Sequence, residues 1–252
     1  KARLNAVYDS RFKSLGVAVD RGNVEIVKIL LAARASQTCV NAGEYTPLMM
    51  AAERGRVDIV RELLSQSKKV LNYHDSKGMT ALTLAMHERK DDVVKVLLEA
   101  QANVYPSPDA PKKSNLLQTA IGRHSLEITK LLLAANSDPN LFAHNEKPPL
   151  LIAIQSKTAL IVEELLKAKA DVHVEYEGSS AMSIAMEHTD FDVIKILVST
   201  KANVNFRAKD RDEGWVTPLI LAVKCHNAEV VDLLIRAHAS VDMRAPNGVF
   251  PL

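Results

Sequence analysis

The stretch YTPLMMAAERGRVDIVRELL, from Tyr45 to Leu64, decides the fold, because altered copies of it recur along the chain. With Leu48 as anchor, the equivalents are Leu15, Leu82, Leu117, Leu150, Met182, Leu219 and Leu252, at successive spacings of 33, 34, 35, 33, 32, 37 and 33 residues. Three residues after each of the first seven anchors stands an alanine: Ala18, Ala51, Ala85, Ala120, Ala153, Ala185 and Ala222. Eleven after each stands a β-branched aliphatic: Ile26, Ile59, Val93, Ile128, Ile161, Val193 and Val230. Fifteen after each stands leucine: Leu30, Leu63, Leu97, Leu132, Leu165, Leu197 and Leu234. Agreement at three offsets in seven units marks a tandem array.

Each unit reads as two helices. Thr46-Pro47 and Thr217-Pro218 are a capping hydroxyl followed by a proline in the first helical turn, where its missing N–H costs nothing. The first helix is about two turns long and ends near Gly55; its alanine lets a neighbouring helix come close. The second carries apolar residues at helical spacing, Ile59, Val60, Leu63 and Leu64 in this copy. Its first turn holds an acid in six units, Glu25, Asp58, Asp92, Glu127, Asp192 and Glu229, each placed to complement the helix dipole, with Leu160 the exception. In YHDSKGMT, Asp75 and Gly78 suit a tight turn. A single unit cannot bury its own apolar face, so each copy is the wall against which the next one folds.

The 252 residues are 47% hydrophobic and 25% charged, enough for a large core, but aromatics make up only 4%, so that core is aliphatic. A net charge of +2, with Lys68-Lys69 and Lys112-Lys113 the only adjacent lysine pairs, lacks the concentrated basic face of a nucleic-acid binder. Cys39 and Cys225 are too few and too far apart for a disulfide framework. No apolar run is long enough to span a bilayer, no signal peptide is visible, and no direct membrane insertion is expected. These features point to an intracellular, cytoplasmic setting, with the nucleus also open. The first residue is lysine, which reads as a fragment of a longer chain.

TPLMMAAERGRVDIVRELL, TPLILAVKCHNAEVVDLL and DSKGMTALTLAMHERKDDVVKVLL closely resemble the ankyrin repeat family, over roughly residues 11–252. The resemblance implies an all-α fold, an ankyrin-repeat solenoid of stacked helix–turn–helix units with β-hairpin-like loops. One ankyrin-repeat domain, residues 1–252, is expected, with units at approximately 11–43, 44–77, 78–112, 113–145, 146–177, 178–214 and 215–247 and a partial eighth at 248–252. Where the family places glycine after the second helix, this chain has Arg34, Ser67, Gln101, Asn136, Lys169, Lys201 and His238. If those positions stay left-handed, each non-glycine residue costs about 1–2 kcal/mol, Asn136 least. The family's glycine between the helices survives as Gly22 and Gly55 alone, and Gln37 and Thr38 depart from the usual first hairpin. Two connections are enlarged, VYPSPDAPKKSN (Val104 to Asn115) and NFRAKDRDEGWV (Asn205 to Val216), and the terminal NGVFPL opens an eighth unit.

Ankyrin-like arrays are chiefly protein-binding surfaces, and the resemblance implies a scaffold or adaptor that holds a partner's peptide segment or folded surface. The implied site is a concave groove lined by hairpin tips and the exposed side of the short helices. One such set is the pair of residues after each alanine pair: Asp20-Arg21, Glu53-Arg54, His87-Glu88, Gly122-Arg123, Gln155-Ser156, Glu187-His188 and Lys224-Cys225. Tyr45, Tyr176 and Trp215 fall in predicted hairpin tips and are candidate hot spots. Tyr73, Tyr105, Phe142 and Phe206 sit nearer the helix–hairpin junctions, where local packing is expected. The candidate partner-binding residues are therefore Tyr45, Glu53, Arg54, His87, Glu88, Arg123, Gln155, Tyr176, Glu187, His188, Trp215 and Lys224.

No catalytic residue, cofactor or metal site is expected. The histidines, His144 among them, form no Cys/His cluster with metal spacing. Phosphate-loop, nucleophile-elbow and paired-carboxylate motifs are missing. Adjacent Cys225 and His226 point about 100° apart on a helix. Ser107-Pro108 is a loop dipeptide open to phosphorylation. The expected partner is another protein and the default oligomeric state a monomer. The second reading is a regulatory ankyrin region of a larger multidomain enzyme or channel.

Overall fold

The computed structural model describes residues 7–8, 12–41, 43–105, 115–142, 145–188, 190–206, 208–210 and 214–242. Among them the chain forms seven consecutive helix pairs. They are α1 (Ser14–Arg21) with α2 (Val24–Ala32), α3 (Pro47–Glu53) with α4 (Val57–Gln66), α5 (Ala81–His87) with α6 (Asp91–Glu99), and α7 (Leu116–Gly122) with α8 (Leu126–Ala134). The last three are α9 (Pro149–Gln155) with α10 (Ala159–Lys167), α11 (Ala181–Glu187) with α12 (Phe191–Ser199), and α13 (Pro218–Lys224) with α14 (Ala228–Arg236). Three short antiparallel hairpins lie in the connecting fingers: β1 (Val7–Tyr8) with β2 (Phe12–Lys13), β3 (Glu175–Tyr176) with β4 (Ser179–Ser180), and β5 (Ala208–Asp210) with β6 (Gly214–Val216). The expected all-α architecture of repeated helix–turn–helix units is the one observed.

The chain divides into two compact units, residues 1–119 with 130–137, and residues 120–129 with 138–252. In the first, the short helices pack in the order α1–α3–α5 and the second helices in the order α2–α4–α6. In the other, the orders are α9–α11–α13 and α10–α12–α14. The recurring alanines permit this: Ala18 is 5% exposed and the other six are 0%. The recurring leucine is fully buried in the last six pairs, while Leu30 in α2 is half-buried.

The helix ends follow the local chemistry. Thr46 and Thr217 accept the backbone N–H of Met49 and Ile220, each ahead of a first-turn proline. Thr80 with Thr83, and Ser180 with Ser183, form reciprocal capping boxes in which a hydroxyl takes the place of the usual carboxylate. Six second helices carry an acid in the first turn and α10 does not.

Arg34, Gln101, Asn136, Lys169, Lys201 and His238 do stay left-handed, with φ between 59° and 69°. Ser67 departs, being extended at φ −164°. The residue that follows explains it. In the other units that residue is Ala35, Ala102, Ser137, Ala170, Ala202 or Ala239, buried, with its N–H closing back onto the helix. In the second unit it is Lys68, whose ammonium cannot be buried there; it stays exposed and donates to the Ala100 carbonyl at 3.2 Å. Helix α4 accordingly runs to ten residues instead of nine.

The enlarged loop from Val104 is described at Val104, Tyr105 and Asn115 alone. Ser107-Pro108, Lys112-Lys113, His144 and the partial eighth unit ending at Leu252 lie outside the described residues.

Candidate protein-interaction surface

The fingers are held by side chains that read as ordinary polar loop residues in sequence. Asn41 accepts the backbone N–H of Gly43 and Tyr45 through one oxygen. Asp75 accepts those of Lys77 and Met79 in the same way. Glu44 is left-handed at φ 63°, and its carboxylate takes the Ser76 N–H of the next finger at 2.6 Å. That bond holds the Glu44 carboxyl below its usual range.

Polar bridges also tie several helix pairs to the next. Asn140 accepts Asp171 N–H and donates to the Lys169 carbonyl. Asn205 does the same with Ser240 and His238. Asn72 accepts Asn103 N–H. Where Tyr105 replaces the asparagine, its hydroxyl reaches the Asn136 carbonyl at 3.0 Å, so this tyrosine does more than pack locally. The one-letter signal was an asparagine recurring 23 or 24 residues after the anchor.

Against this scaffold the candidate residues fall into two groups. In the first compact unit, Tyr45, Glu53 and Glu88 come together. Tyr45 sits one residue beyond the turn of its finger, half-buried rather than at the tip. Desolvation raises its phenol above the usual tyrosine range, and the charges of Glu53, Asp75 and Glu88 push it the same way. Arg54 is exposed and pairs with Asp20 of the preceding unit at 2.5 Å. His87 Nδ1 lies 3.0 Å from Glu88. The second and third helix pairs thus present a phenol, two carboxylates and a guanidinium that is anchored on Asp20 of the first pair.

In the other compact unit the candidates are more dispersed. Gln155 accepts the Lys147 ammonium at 2.6 Å. Tyr176, in β3 opposite Ser179, is half-buried and donates to the Asn145 carbonyl at 3.3 Å; desolvation first, then Glu177, raises its phenol. Arg123 and His188 are half-buried; Glu187 and Lys224 are exposed. Trp215 sits in β6 opposite Lys209, and its side chain lies outside the described residues. Phe142 is 36% exposed, and Tyr73 stacks on its neighbour His74 with ring centroids 6.4 Å apart. This inventory makes hydrogen bonds, ion pairs and aromatic contacts. Among the described residues no group of three or more His, Cys, Asp or Glu is placed to hold a metal ion, and no helix is long and apolar enough to cross a membrane.

A family model described as ankyrin repeats in three copies matches residues 15–107 and 150–247. The ankyrin repeat and KH domain-containing protein mask-1 of Caenorhabditis elegans is 31% identical over 237 residues, covering 92% of this chain and 9% of that protein. Rabankyrin-5 of Mus musculus is 29% identical over 167 residues, 66% of this chain and 14% of that protein. The potassium channel AKT2/3 of Arabidopsis thaliana is 32% identical over 133 residues, 52% of this chain and 16% of the channel. The crystal structure of the human ASB11 ankyrin repeat domain superposes with a TM-score of 0.60 at 23% identity, covering 91% of this chain and 99% of that one. The chain spans a small part of the curated relatives it matches.

Proposed function

We propose, from the premise that this chain belongs to the ankyrin repeat family, that it is a non-catalytic interaction domain that captures a partner protein through its finger bases and the ends of its short helices. Ankyrin repeats generally mediate protein–protein contacts, and the fold is typically non-catalytic. The observation that carries the reading is the grouping of half-buried Tyr45 with Glu53 and Glu88 across consecutive pairs. A phenol half-withdrawn from water supplies a rigid, amphipathic anchor with little entropy left to lose, and carboxylates around it select the partner by charge. Arg54 and His87 belong to the same compact unit, and Arg123, Gln155, Tyr176, Glu187, His188, Trp215 and Lys224 are the candidate contacts of the other unit. The domain acts in a reducing compartment, cytoplasmic or nuclear, where Cys39 and Cys225 are not joined in a disulfide. The partner is a protein rather than a nucleic acid or a lipid bilayer.

The test replaces Tyr45 and Trp215 by alanine, singly and together, and measures partner capture beside far-ultraviolet helicity. Capture lost with helicity intact supports the site; capture unchanged in both removes it. A second reading, a regulatory region within a larger enzyme or channel, is favoured by the likeness to a stretch of a potassium channel and by the small share of each relative that the chain spans. In that case the captured surface belongs to the same polypeptide, and the excised domain binds its own flanking domain in trans.

A further inference from the structure

Tyr45 is fixed before any partner arrives. Its backbone N–H goes to the Asn41 side chain and its carbonyl takes the Asn41 N–H, so the finger holds it from both sides. The residue is half-buried, yet its hydroxyl makes no hydrogen bond among the described residues. The hydroxyls of Tyr105 and Tyr176, by contrast, reach the Asn136 and Asn145 carbonyls. Glu53, the last residue of α3, is half-buried as well, and its carboxylate has neither a hydrogen bond nor an ion pair among the described residues. A carboxylate part-way out of water without a partner is an unfavourable arrangement that an arriving cation relieves.

The charges that act on the Tyr45 phenol are all carboxylates, Glu53, Asp75 and Glu88. The cations of the neighbouring helix ends are engaged elsewhere. Arg54, next to Glu53 in sequence, turns to Asp20 of the preceding pair. Arg56 and Lys90 fill the space over Gly22 and Gly55, and Arg56 donates to the Asp20 carbonyl. Arg89, which follows Glu88, is exposed and makes no ion pair with it. Of the carboxylates, Asp75 already accepts the turn N–H groups of Lys77 and Met79, and Glu88 has the His87 ring 3.0 Å away. Glu53 alone of the three is left with its full pairing capacity, beside a phenol in the same condition.

We propose that this surface of the first compact unit receives a basic side chain of the partner, a guanidinium or ammonium set against the Tyr45 ring with Glu53 as its counter-ion and Glu88 at the rim. The partner segment is therefore cationic, a specification that rests on the interaction role of Tyr45 given above. An aromatic face and a carboxylate are the two kinds of group that hold a cation as it leaves water. A chain at net +2 attracts a basic peptide only through such a local field.

Fluorescence anisotropy on the full chain tests this with short labelled peptides in which serine alternates with arginine, with lysine or with glutamate. The arginine and lysine peptides are expected to bind and the glutamate peptide is not. Glu53→Gln, which keeps the shape of the side chain, and Tyr45→Ala are each expected to weaken the basic peptides about fivefold or more, and Glu88→Gln less. Glu99→Gln removes the same charge from an exposed position at the end of α6, in the same compact unit, and is expected to leave binding unchanged. Circular dichroism checks that each variant is folded. Basic peptides that do not bind overturn the proposal, as does a loss in Glu99→Gln equal to that in Glu53→Gln. Partner capture that Tyr45→Ala abolishes and Glu53→Gln leaves intact removes the cation and keeps the interaction surface. Capture and peptide binding that Tyr45→Ala leaves unchanged remove both.

Discussion

The two compact units solve the same packing problem from opposite sides. In the first, the turn inside each of the first two helix pairs is a left-handed glycine, Gly22 at φ 76° and Gly55 at φ 71°. The second helix of the following pair begins with a long cation that fills the space: a Cβ built at Gly22 would fall on the Arg56 guanidinium, and one at Gly55 within 2.8 Å of Lys90 Cδ. Arg56 also donates to the Asp20 carbonyl. The price is at the helix start, where Arg56 and Lys90 offer no side-chain cap. In the other compact unit the turn residues are long, His124, Lys157 and His226, left-handed at 52–57°. In the pair after Lys157, α12 begins with short Asp190, which caps Val193, whereas Thr158, in the equivalent place after His124, makes no side-chain cap. Backbone strain of about 1–2 kcal/mol per non-glycine turn is offset by a helix cap of about 1 kcal/mol. The space is filled once, and which side fills it decides which local term is lost.

The most damaging way to break this comparison is Gly22→Ala. Left-handed strain, added to the displaced Arg56 and its charged hydrogen bond, is expected to cost about 3 kcal/mol in urea unfolding. Adding Arg56→Asn frees the space and restores a cap, so the double variant recovers part of that loss. Additive losses would show that the two sites are not coupled. The next effect sharpens the contrast between bridges. Asn205→Ala removes two bonds to the following unit and is expected to cost about 1–2 kcal/mol, while Asn72→Ala, which removes one such bond, costs about half as much. Smaller, and opposite in sign, is Lys157→Gly, which relieves left-handed strain and raises stability by about 0.5–1 kcal/mol with Asp190 left in place. An unchanged midpoint would mean that the turn is not strained.

The smallest effect is electrostatic. The Glu44 carboxyl is held below its ordinary value of 4.5, first by the Ser76 backbone N–H. A depressed folded value adds stability that is present above 4.5 and is lost as pH falls through the folded value. The stability difference between wild type and Glu44→Ala is therefore expected to shrink on acidification below that point, and a difference constant from pH 7 to pH 3 would remove the finger-tip bond from the account.

How much was legible in sequence follows from how local each cause is. The capping threonines, the first-turn prolines and the packed alanines were readable because their reasons lie within one turn of helix. The left-handed positions at Arg34 and Lys169 were readable from the family's glycines. Ser67 departs from them because its conformation depends on whether Lys68 can be buried, which is a question about the neighbouring pair. Tyr45, Glu53 and Glu88 were each visible as polar or aromatic surface residues, but their meeting was not, since Glu88 comes from the repeat after the one that holds Tyr45 and Glu53. Tyr105 read as local packing because nothing in its own unit announces a carbonyl at Asn136.

The sequence by itself determined the repeat, the two helices of each unit, their caps and the alanine seam, since short-range sterics and a period near 33 residues require no partner. The tertiary structure alone decided which residue fills each contact between neighbouring units, which asparagines bridge them, and which aliphatic side chains are left uncovered at α2 and α14. Those outcomes depend on pairs of residues tens of positions apart competing for one space, and spacing along a chain does not reveal who occupies a space that two residues can reach.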